Sequence, residues 1–194
     1  IGHNILEFHV DEAVIEDILR RLKSNEELHG SEARLRCKDG TIRYVSISSN
    51  VYREDGQFVH TRCVTLDITE QRRAFELQNR LAAIVESSDD AIISKDLDGI
   101  IRSWNRGAEE CYGWTAAEAL GRVTNTLQNT RFPKPLDEIL GEVQAKERWD
   151  GELVHTTRDG KEIVMASRWS LERDERGAPK SILELNTDVT ERKR

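Results

Sequence analysis

The sequence predicts an α+β chain built as two copies of one plan, an amphipathic helix followed by a three-stranded antiparallel meander. Three observations predict it. The first is an internal repeat: residues 38–40 read Lys-Asp-Gly and residues 158–160 read Arg-Asp-Gly, and the two stretches that follow end in Asp67-Ile68-Thr69-Glu70 and Asp188-Val189-Thr190-Glu191. The separation is 28 residues from Asp39 to Asp67 and 29 from Asp159 to Asp188, so the copies differ by one residue in a turn, Glu54-Asp55-Gly56 against Asp174-Glu175-Arg176-Gly177. The second is period-two patterning between those marks, which is the signature of strands bounded by turns. The third is a helical stripe ahead of each meander.

The strands follow from alternation. In Thr41–Arg53, Arg43, Val45, Ile47, Ser49 and Val51 share one face, with Ile42, Tyr44 and Tyr52 on the other. In Lys161–Arg173, Ile163, Met165, Trp169 and Leu171 share a face. The Asp-Gly and Arg-Gly pairs supply the tight reversals that hairpins need. The helices follow from spacings of three and four. Val14, Ile15, Ile18, Leu19 and Leu22 form the first stripe, and Leu136, Ile139, Leu140 and Val143, after Pro133 and Pro135, form the second. Both have polar opposite faces, as helices covering a sheet do.

The second copy has more ahead of its helix. Asp90–Lys95 reads as a short strand, Asp96-Leu97-Asp98-Gly99 as a turn and Ile100–Trp104 as another strand. Thr115-Ala116-Ala117-Glu118 fits a capping box, in which hydroxyl and carboxylate satisfy the free amides of a helix start. Leu120-Gly121 ends that turn of helix. Ser87-Ser88-Asp89-Asp90 reads as a helix stop and turn. Between the copies, Thr69–Glu86 contains neither Gly nor Pro, and Leu77, Leu81 and Ile84 fall at helical spacing with Ala74 and Phe75 nearby. One or two heptads do not hold a coiled coil alone. Such a helix either pairs with its equivalent in a second chain or lies on its own domain.

Composition excludes several classes of function. With 37% hydrophobic and 34% charged residues, two modest cores fit better than one large one. The net charge of −7 argues against a nucleic-acid partner, and Glu191-Arg192-Lys193-Arg194 is too short a basic cluster to reverse that. No apolar run approaches the ~20 residues that cross a bilayer, and no secretory signal is present. Cys37, Cys63 and Cys111 are odd in number and irregular in spacing, as in reduced cytoplasmic thiols. The five histidines show no zinc spacing, and no phosphate loop or metalloprotease motif occurs. This stretch is therefore expected to be non-catalytic and cytoplasmic, and Ile1 suggests that it begins inside a longer protein.

The string Trp104-Asn105-Arg106-Gly107-Ala108-Glu109, followed by Tyr112-Gly113-Trp114, Glu118, Gly121, the Arg-Asp-Gly turn and Asp188-Val189-Thr190, resembles the PAS family across residues 81–194. The resemblance implies an α+β fold: a five-stranded antiparallel sheet with small helices over one face, enclosing a pocket. Residues 1–69 resemble only the latter part of such a domain. Ile1-Gly2-His3 resembles the end of its helical opening, residues 11–23 its long helix and residues 31–69 its last three strands. Its first two strands are lacking, so Phe58–Asp67 is expected to present an open edge. A partner chain covers that edge, or upstream strands do. Residues 70–86 are then a connecting signalling helix, residues 87–190 a complete second domain and residues 191–194 the start of an exit helix.

The resemblance also implies site residues. Leu127, Ile139, Val143, Met165 and Trp169 are candidates to line a ligand pocket, or form plain core. Trp104, Trp114 and Trp149 stand under the same two readings. Asp67, Thr69, Asp188 and Thr190, with Lys38 and Arg158 on the neighbouring hairpins, are candidates to relay a signal. Ion pairs Asp188–Arg158 and Asp67–Lys38 are expected, with Asp188 as a helix cap the alternative. A light-activated flavin adduct is disfavoured, since Thr124-Asn125-Thr126-Leu127-Gln128 lacks the thiol that such domains carry there and Cys111 lies earlier. Haem is disfavoured in the second domain because residues 133–147 hold no histidine. His9, just before the first long helix, is a weak haem-ligand candidate. Non-covalent flavin stays open, and the sequence itself requires no cofactor. By family association the expected role is sensory input to a bacterial two-component sensor histidine kinase, a phosphoprotein acting as a homodimer. The downstream kinase or other output domain then lies in the same parent chain. A cyclic-dinucleotide cyclase or phosphodiesterase as parent, a ligand-free dimerising spacer, and a haem or flavin redox sensor are the alternatives.

Overall fold

A computed structural model describes residues 2–193, with the backbone only of Lys193. The chain divides into two units, 1–80 and 81–194. The division falls inside the connecting helix, eleven residues beyond the 69/70 boundary expected from the repeat.

The first unit opens with a short 3₁₀ turn, Ile5–Phe8, capped at both ends of its box by Asn4 and Glu7. Helix α1 (Glu12–Lys23) follows, then strands β1 (Leu28–Arg36), β2 (Ile42–Glu54) and β3 (Gln57–Asp67) in the order β1-β2-β3, all antiparallel. The stripe on α1 is the core: Ile15, Ile18 and Leu22 pack on Leu28, Ala33, Val45 and Ile47. The β2–β3 reversal has only Asp55 and Gly56 between paired residues, both with positive φ, as a two-residue hairpin turn of the primed kind requires. Among the described residues β3 is an edge, and Phe58, Val59, Val64 and Leu66 on it are exposed. Ile1, part of the expected helical opening, lies outside the described residues.

Helix α2 (Thr69–Glu86) leaves β3 directly. Its first turn is anchored, with Arg72 donating to Glu32 at 2.8 Å and lying 5.9 Å from the centre of the Tyr44 ring. Beyond that turn Phe75, Leu77, Leu81 and Ile84 are all more than half exposed, so this stripe is not laid on its own domain.

The second unit holds the five-stranded sheet. Strands β4 (Ala91–Asp96) and β5 (Ile101–Trp104) form one hairpin, followed by helices α3 (Arg106–Tyr112), α4 (Ala116–Ala119), α5 (Thr124–Leu127) and α6 (Leu136–Lys146). Strands β6 (Arg148–Thr156), β7 (Glu162–Arg173) and β8 (Pro179–Asp188) complete the order β5-β4-β8-β7-β6. The edge of β8 that matches the open edge of β3 is here occupied by β4. Glu191–Lys193 forms a 3₁₀ turn, and residue 194 of the expected exit helix lies outside the described residues.

The Trp-Asn-Arg-Gly string has a structural reason. Asn105 caps α3 by accepting from the Ala108 amide, accepts from Ile92 of β4, and donates to the carbonyls of Val85 and Asp90. Gly107 then sits so close to the chain that a Cβ would lie 2.3 Å from the Asp90 carbonyl oxygen and 2.6 Å from that of Ser88. Both are backbone atoms, so the chain must move. Gly107→Ala is expected to destabilise the second unit by about 1–3 kcal/mol or more. Denaturant unfolding followed by tryptophan fluorescence checks it, because all four tryptophans lie in this unit.

Candidate functional site

The five pocket candidates are core residues, but they do not line one pocket. Leu127 and Met165 belong to a cluster with Ile93, Trp104 and Tyr112, whereas Ile139, Val143 and Trp169 pack with Trp149, Leu153 and Ile182. Phe132 and Trp149 both meet Trp169 edge to face. Trp114 is only partly buried, and its carbonyl accepts from the Trp104 indole. Of the five, only Trp169 borders a cavity of about 60 Å³ between the β4–β5 turn and α6, which Lys95, Asn125, Leu136, Leu140 and Ile182 also line.

Between those clusters runs a polar chain that the sequence reading missed. On β4 and β8, Lys95 and Glu184 are buried and paired at 2.7 Å, and the ammonium lies 3.5 Å from the centre of the Trp169 ring. Asn186 donates to Glu184 at 2.9 Å and to the Tyr112 hydroxyl at 3.2 Å. That hydroxyl lies 2.8 Å from Nδ1 of His155 on β6. Next to His155, the Thr156 amide donates to the carbonyl of Gln128, which is itself fully buried. A signal was present in the sequence: inward positions of a half-covered strand are normally apolar, yet β8 reads Ile182-x-Glu184-x-Asn186.

The electrostatics of this chain follow from burial. Burial alone would raise the Glu184 carboxyl, but Lys95, His155 and the hydrogen bonds hold it below its ordinary value. Burial pushes His155 down to about 4; Lys95 adds to the effect and Glu184 opposes it, so the imidazole is neutral at pH 7. Burial raises the Tyr112 phenol. The Tyr112 oxygen accepts from Asn186 and also meets Nδ1 of His155, which accepts the phenol proton in the tautomer that carries its own proton on Nε2. That Nε2, the Asn186 Oδ1 and both side-chain amide atoms of Gln128 are buried without a protein partner. Each such atom costs roughly 1–3 kcal/mol if nothing satisfies it.

The first unit shows that the fold does not demand this chain. By strand register, Leu35, Ser49, Cys63 and Thr65 occupy the places of His155, Trp169, Glu184 and Asn186. Among the described residues no buried ion pair crosses the inner face there, and Arg43–Asp67 at its end is solvent-exposed. Ser49 and Cys63 meet at 2.8 Å instead.

The relay candidates come together differently from expectation. The ion pairs Asp188–Arg158 and Asp67–Lys38 do not form. Arg158 reaches Glu118 at 2.9 Å and joins the β6–β7 turn to the capping box of α4. Asp67 pairs with Arg43 at 2.5 Å. The physical reason is reach: Arg43 stands beside Asp67 on the adjacent strand, whereas Lys38 is in the turn beyond. Arg158 and Asp188 share only an open cleft, which Cys111 and Lys161 also line. What both units do share is a clasp. The Asp67 carboxylate accepts from the Thr69 amide, and the Thr69 hydroxyl accepts from the Tyr44 amide. Asp188 accepts from the amide and hydroxyl of Thr190, whose hydroxyl accepts from the Val164 amide. The two hydrogen bonds from Thr69, then the Arg43 guanidinium, hold Asp67 down at about 2.

His9 lies at the edge of β1, bridged to Leu35, with Nδ1 unpartnered; burial lowers its pKa and Asp11 opposes the shift. Asp11 in turn is engaged by the Arg34 guanidinium. No helix among the described residues is long and apolar enough to cross a membrane.

Comparison with known proteins agrees with this architecture. A family model described as PAS fold matches residues 85–194, and one described as PAS domain matches residues 1–70. A PAS domain from Colwellia psychrerythraea is 26% identical, with a TM-score of 0.53 over 59% of this chain and 98% of that one. The PAS domain of an HTR-like protein from Haloarcula marismortui, 23% identical, shares the fold with a TM-score of 0.51 over 62% of this chain and 98% of that one. Among curated proteins, the probable diguanylate cyclase DgcE of Escherichia coli K12 is 28% identical over 105 residues, which is 52% of this chain and 10% of that protein. The chain thus spans about a tenth of that curated relative. With two successive family matches, an antiparallel five-stranded sheet and the same exit clasp in both copies, the chain belongs to the PAS family of sensory domains.

Proposed function

We propose that the chain is the input and relay segment of a two-component sensor histidine kinase, in which the state of the second unit's core sets the geometry of the exit helix. One observation carries this reading. Strand β8 presents Glu184 and Asn186 to the buried polar chain and, two residues later, supplies the Asp188–Thr190 clasp that binds the chain exit to β7. A shift of β8 in the core is therefore a shift at the exit, and a ligand that favours one position of β8 biases the output by its differential affinity.

The segment works in the cytoplasm as a homodimer, and the exposed stripe Leu77, Leu81 and Ile84 on α2 is the surface that pairs. Catalysis belongs to an output domain of the parent chain, not to this segment. With a net charge of −7, nucleic acid is not the partner. A second reading, a cyclic-dinucleotide cyclase as output, is favoured by the name of the curated relative. Assaying the full-length protein for phosphohistidine and for cyclic-dinucleotide synthesis separates the two.

Asp188→Ala and Thr190→Val are expected to change that output several-fold while costing only about 1 kcal/mol of stability. Unchanged output with a clear loss of stability would mean that the clasp is only a cap. A haem or flavin sensor predicts a visible absorption band in the purified protein, and a ligand-free spacer predicts an output indifferent to any change in the core.

A further inference from the structure

We infer that strand β3 pairs edge to edge with β3 of a second copy of this chain, antiparallel and centred on Cys63. This goes beyond the proposed function, in which the stripe on α2 is the pairing surface.

The other sheet edges have chain laid against them. On β5, Ile101 accepts from the Gly121 amide and donates to the Arg122 carbonyl, at 3.0 and 2.9 Å. On β6, Val154 exchanges both backbone bonds with Arg131, at 2.8 and 3.2 Å, and the Thr156 amide donates to Gln128 at 2.7 Å. On β1, the Arg34 carbonyl accepts from Val10 at 2.9 Å, and Leu35 is bridged to His9. Among the described residues β3 is the edge without such a cover, and at 11 residues it is also the longest. Long edges are normally guarded by Lys, Pro or a bulge. From His60 to Leu66 there is none of these, and Val64 and Leu66 are 72% and 63% exposed.

The hydrogen-bond phase says which groups are free. The Ile68 amide donates to the Tyr44 carbonyl, so in steps of two Leu66, Val64, Arg62 and His60 bond to β2. Thr61, Cys63 and Thr65 therefore turn their N–H and C=O groups to the open edge. Their counterparts on β8, Ile182, Glu184 and Asn186, meet Lys95, Ile93 and Ala91 of β4. The fold thus accepts an antiparallel strand at this edge.

The register follows from what bounds the regular stretch. At one end Val59 is the extra residue of a bulge, and at the other Asp67 is held by Arg43 and Thr69. Between them His60–Leu66 has Cys63 as its midpoint. Centred there, Cys63 faces Cys63 of the partner subunit, Thr61 faces the partner's Thr65, Arg62 the partner's Val64 and His60 the partner's Leu66. Each outward N–H and C=O finds a partner, and small side chains meet on the inner face. The charges also favour this register. Centring one residue earlier would set the two Arg62 side chains directly opposite, which like charges resist. Here each Arg62 stem instead covers exposed apolar surface at Val64. Antiparallel pairing sends the two α2 helices off opposite ends of the ladder, with their starts about 40 Å apart at ~3.3 Å per residue. The edge and the α2 stripe are therefore separate self-complementary surfaces, and a chain with both assembles beyond a dimer.

The test uses the 194-residue chain and separates the two surfaces. Leu81→Lys/Ile84→Lys removes the α2 stripe at exposed positions. By sedimentation velocity at micromolar concentration, that double variant is expected to remain a dimer through β3. Adding Thr65→Pro removes an outward N–H without breaking a bond to β2, and is expected to give a monomer with an unchanged far-ultraviolet circular dichroism spectrum. Val64→Lys in the same background puts a cation on the edge and is expected to give a monomer by a route that leaves the backbone intact. A bismaleimide short enough to join neighbouring strands is expected to link Cys63 to Cys63 in the dimer, as read by peptide mass mapping. The inference is overturned if Leu81→Lys/Ile84→Lys alone yields a monomer, or if the dimer survives Val64→Lys. It is overturned equally if the dimer gives no Cys63–Cys63 link. The α2 reading is judged separately, by whether Leu81→Lys/Ile84→Lys lowers the mass of the wild-type assembly.

Discussion

Glu184→Ala is expected to cost the second unit about 3–5 kcal/mol, the largest effect of any single substitution considered for this chain. The carboxylate is buried, pairs with Lys95 at 2.7 Å and also accepts from Asn186. Removing it strands a buried ammonium over the face of the Trp169 ring, which compensates the charge only in part. The loss comes from the uncompensated charge rather than from the worth of the pair. The double variant Lys95→Met/Glu184→Leu is therefore expected to recover most of it, since both charges go together. Denaturant titration with tryptophan fluorescence reads this unit alone, because Trp104, Trp114, Trp149 and Trp169 all lie in it. If the double variant were as unstable as the single one, the pair would be contributing stability of its own and this account would fail.

Acidification below pH 6.5 is expected to destabilise the same unit well before its carboxylates protonate. His155 titrates at 6.5 when unfolded and near 4 when folded, because burial disfavours the imidazolium. Its folded pKa is depressed, so below pH 6.5 the unfolded chain binds a proton that the folded chain does not. The stability is complete above pH 6.5, falls as the pH drops towards 4 and levels off below. The total is on the order of 3 kcal/mol, reached only if the ring stays inside. Glu184 opposes the shift and Lys95 reinforces it, while Tyr112 bonds the ring directly. The clasp carboxylate of the first unit acts in a different window: Asp67, near 2 when folded, loses its contribution as the pH falls from 3.8 through 2. Unfolding free energies measured from pH 7.5 to 4 should show the His155 slope in the wild type, and His155→Phe should flatten it. An equal slope in that variant assigns the pH dependence to other groups.

How much of this was legible beforehand can be judged from particular residues. The repeat of Lys-Asp-Gly and Arg-Asp-Gly located the β1–β2 and β6–β7 hairpins, since Gly40 and Gly160 adopt positive φ in matching turns. Period-two patterning placed Val45, Ile47, Ile163, Met165 and Trp169 inside. The Thr115–Glu118 capping box forms as read. The strand starts were less legible, and β1 begins at Leu28 rather than residue 31. Helix α5 was missed because Thr-Asn-Thr-Leu carries no cap signal or apolar period of its own, and tertiary packing of Thr124 and Leu127 makes it helical.

Local chemistry, in short, determined the strands, turns, caps and family, because those depend on residues near one another in sequence. The ion-pair partners were decided by register. Which arginine lies beside Asp67 is a matter of cross-strand distance, and Arg43 on β2 is the one within reach. The polar chain Lys95–Glu184–Asn186–Tyr112–His155 was decided by the tertiary structure alone. It joins β4, β8, α3 and β6 across as many as 89 residues of sequence, and no spacing rule connects such groups until the sheet brings them together.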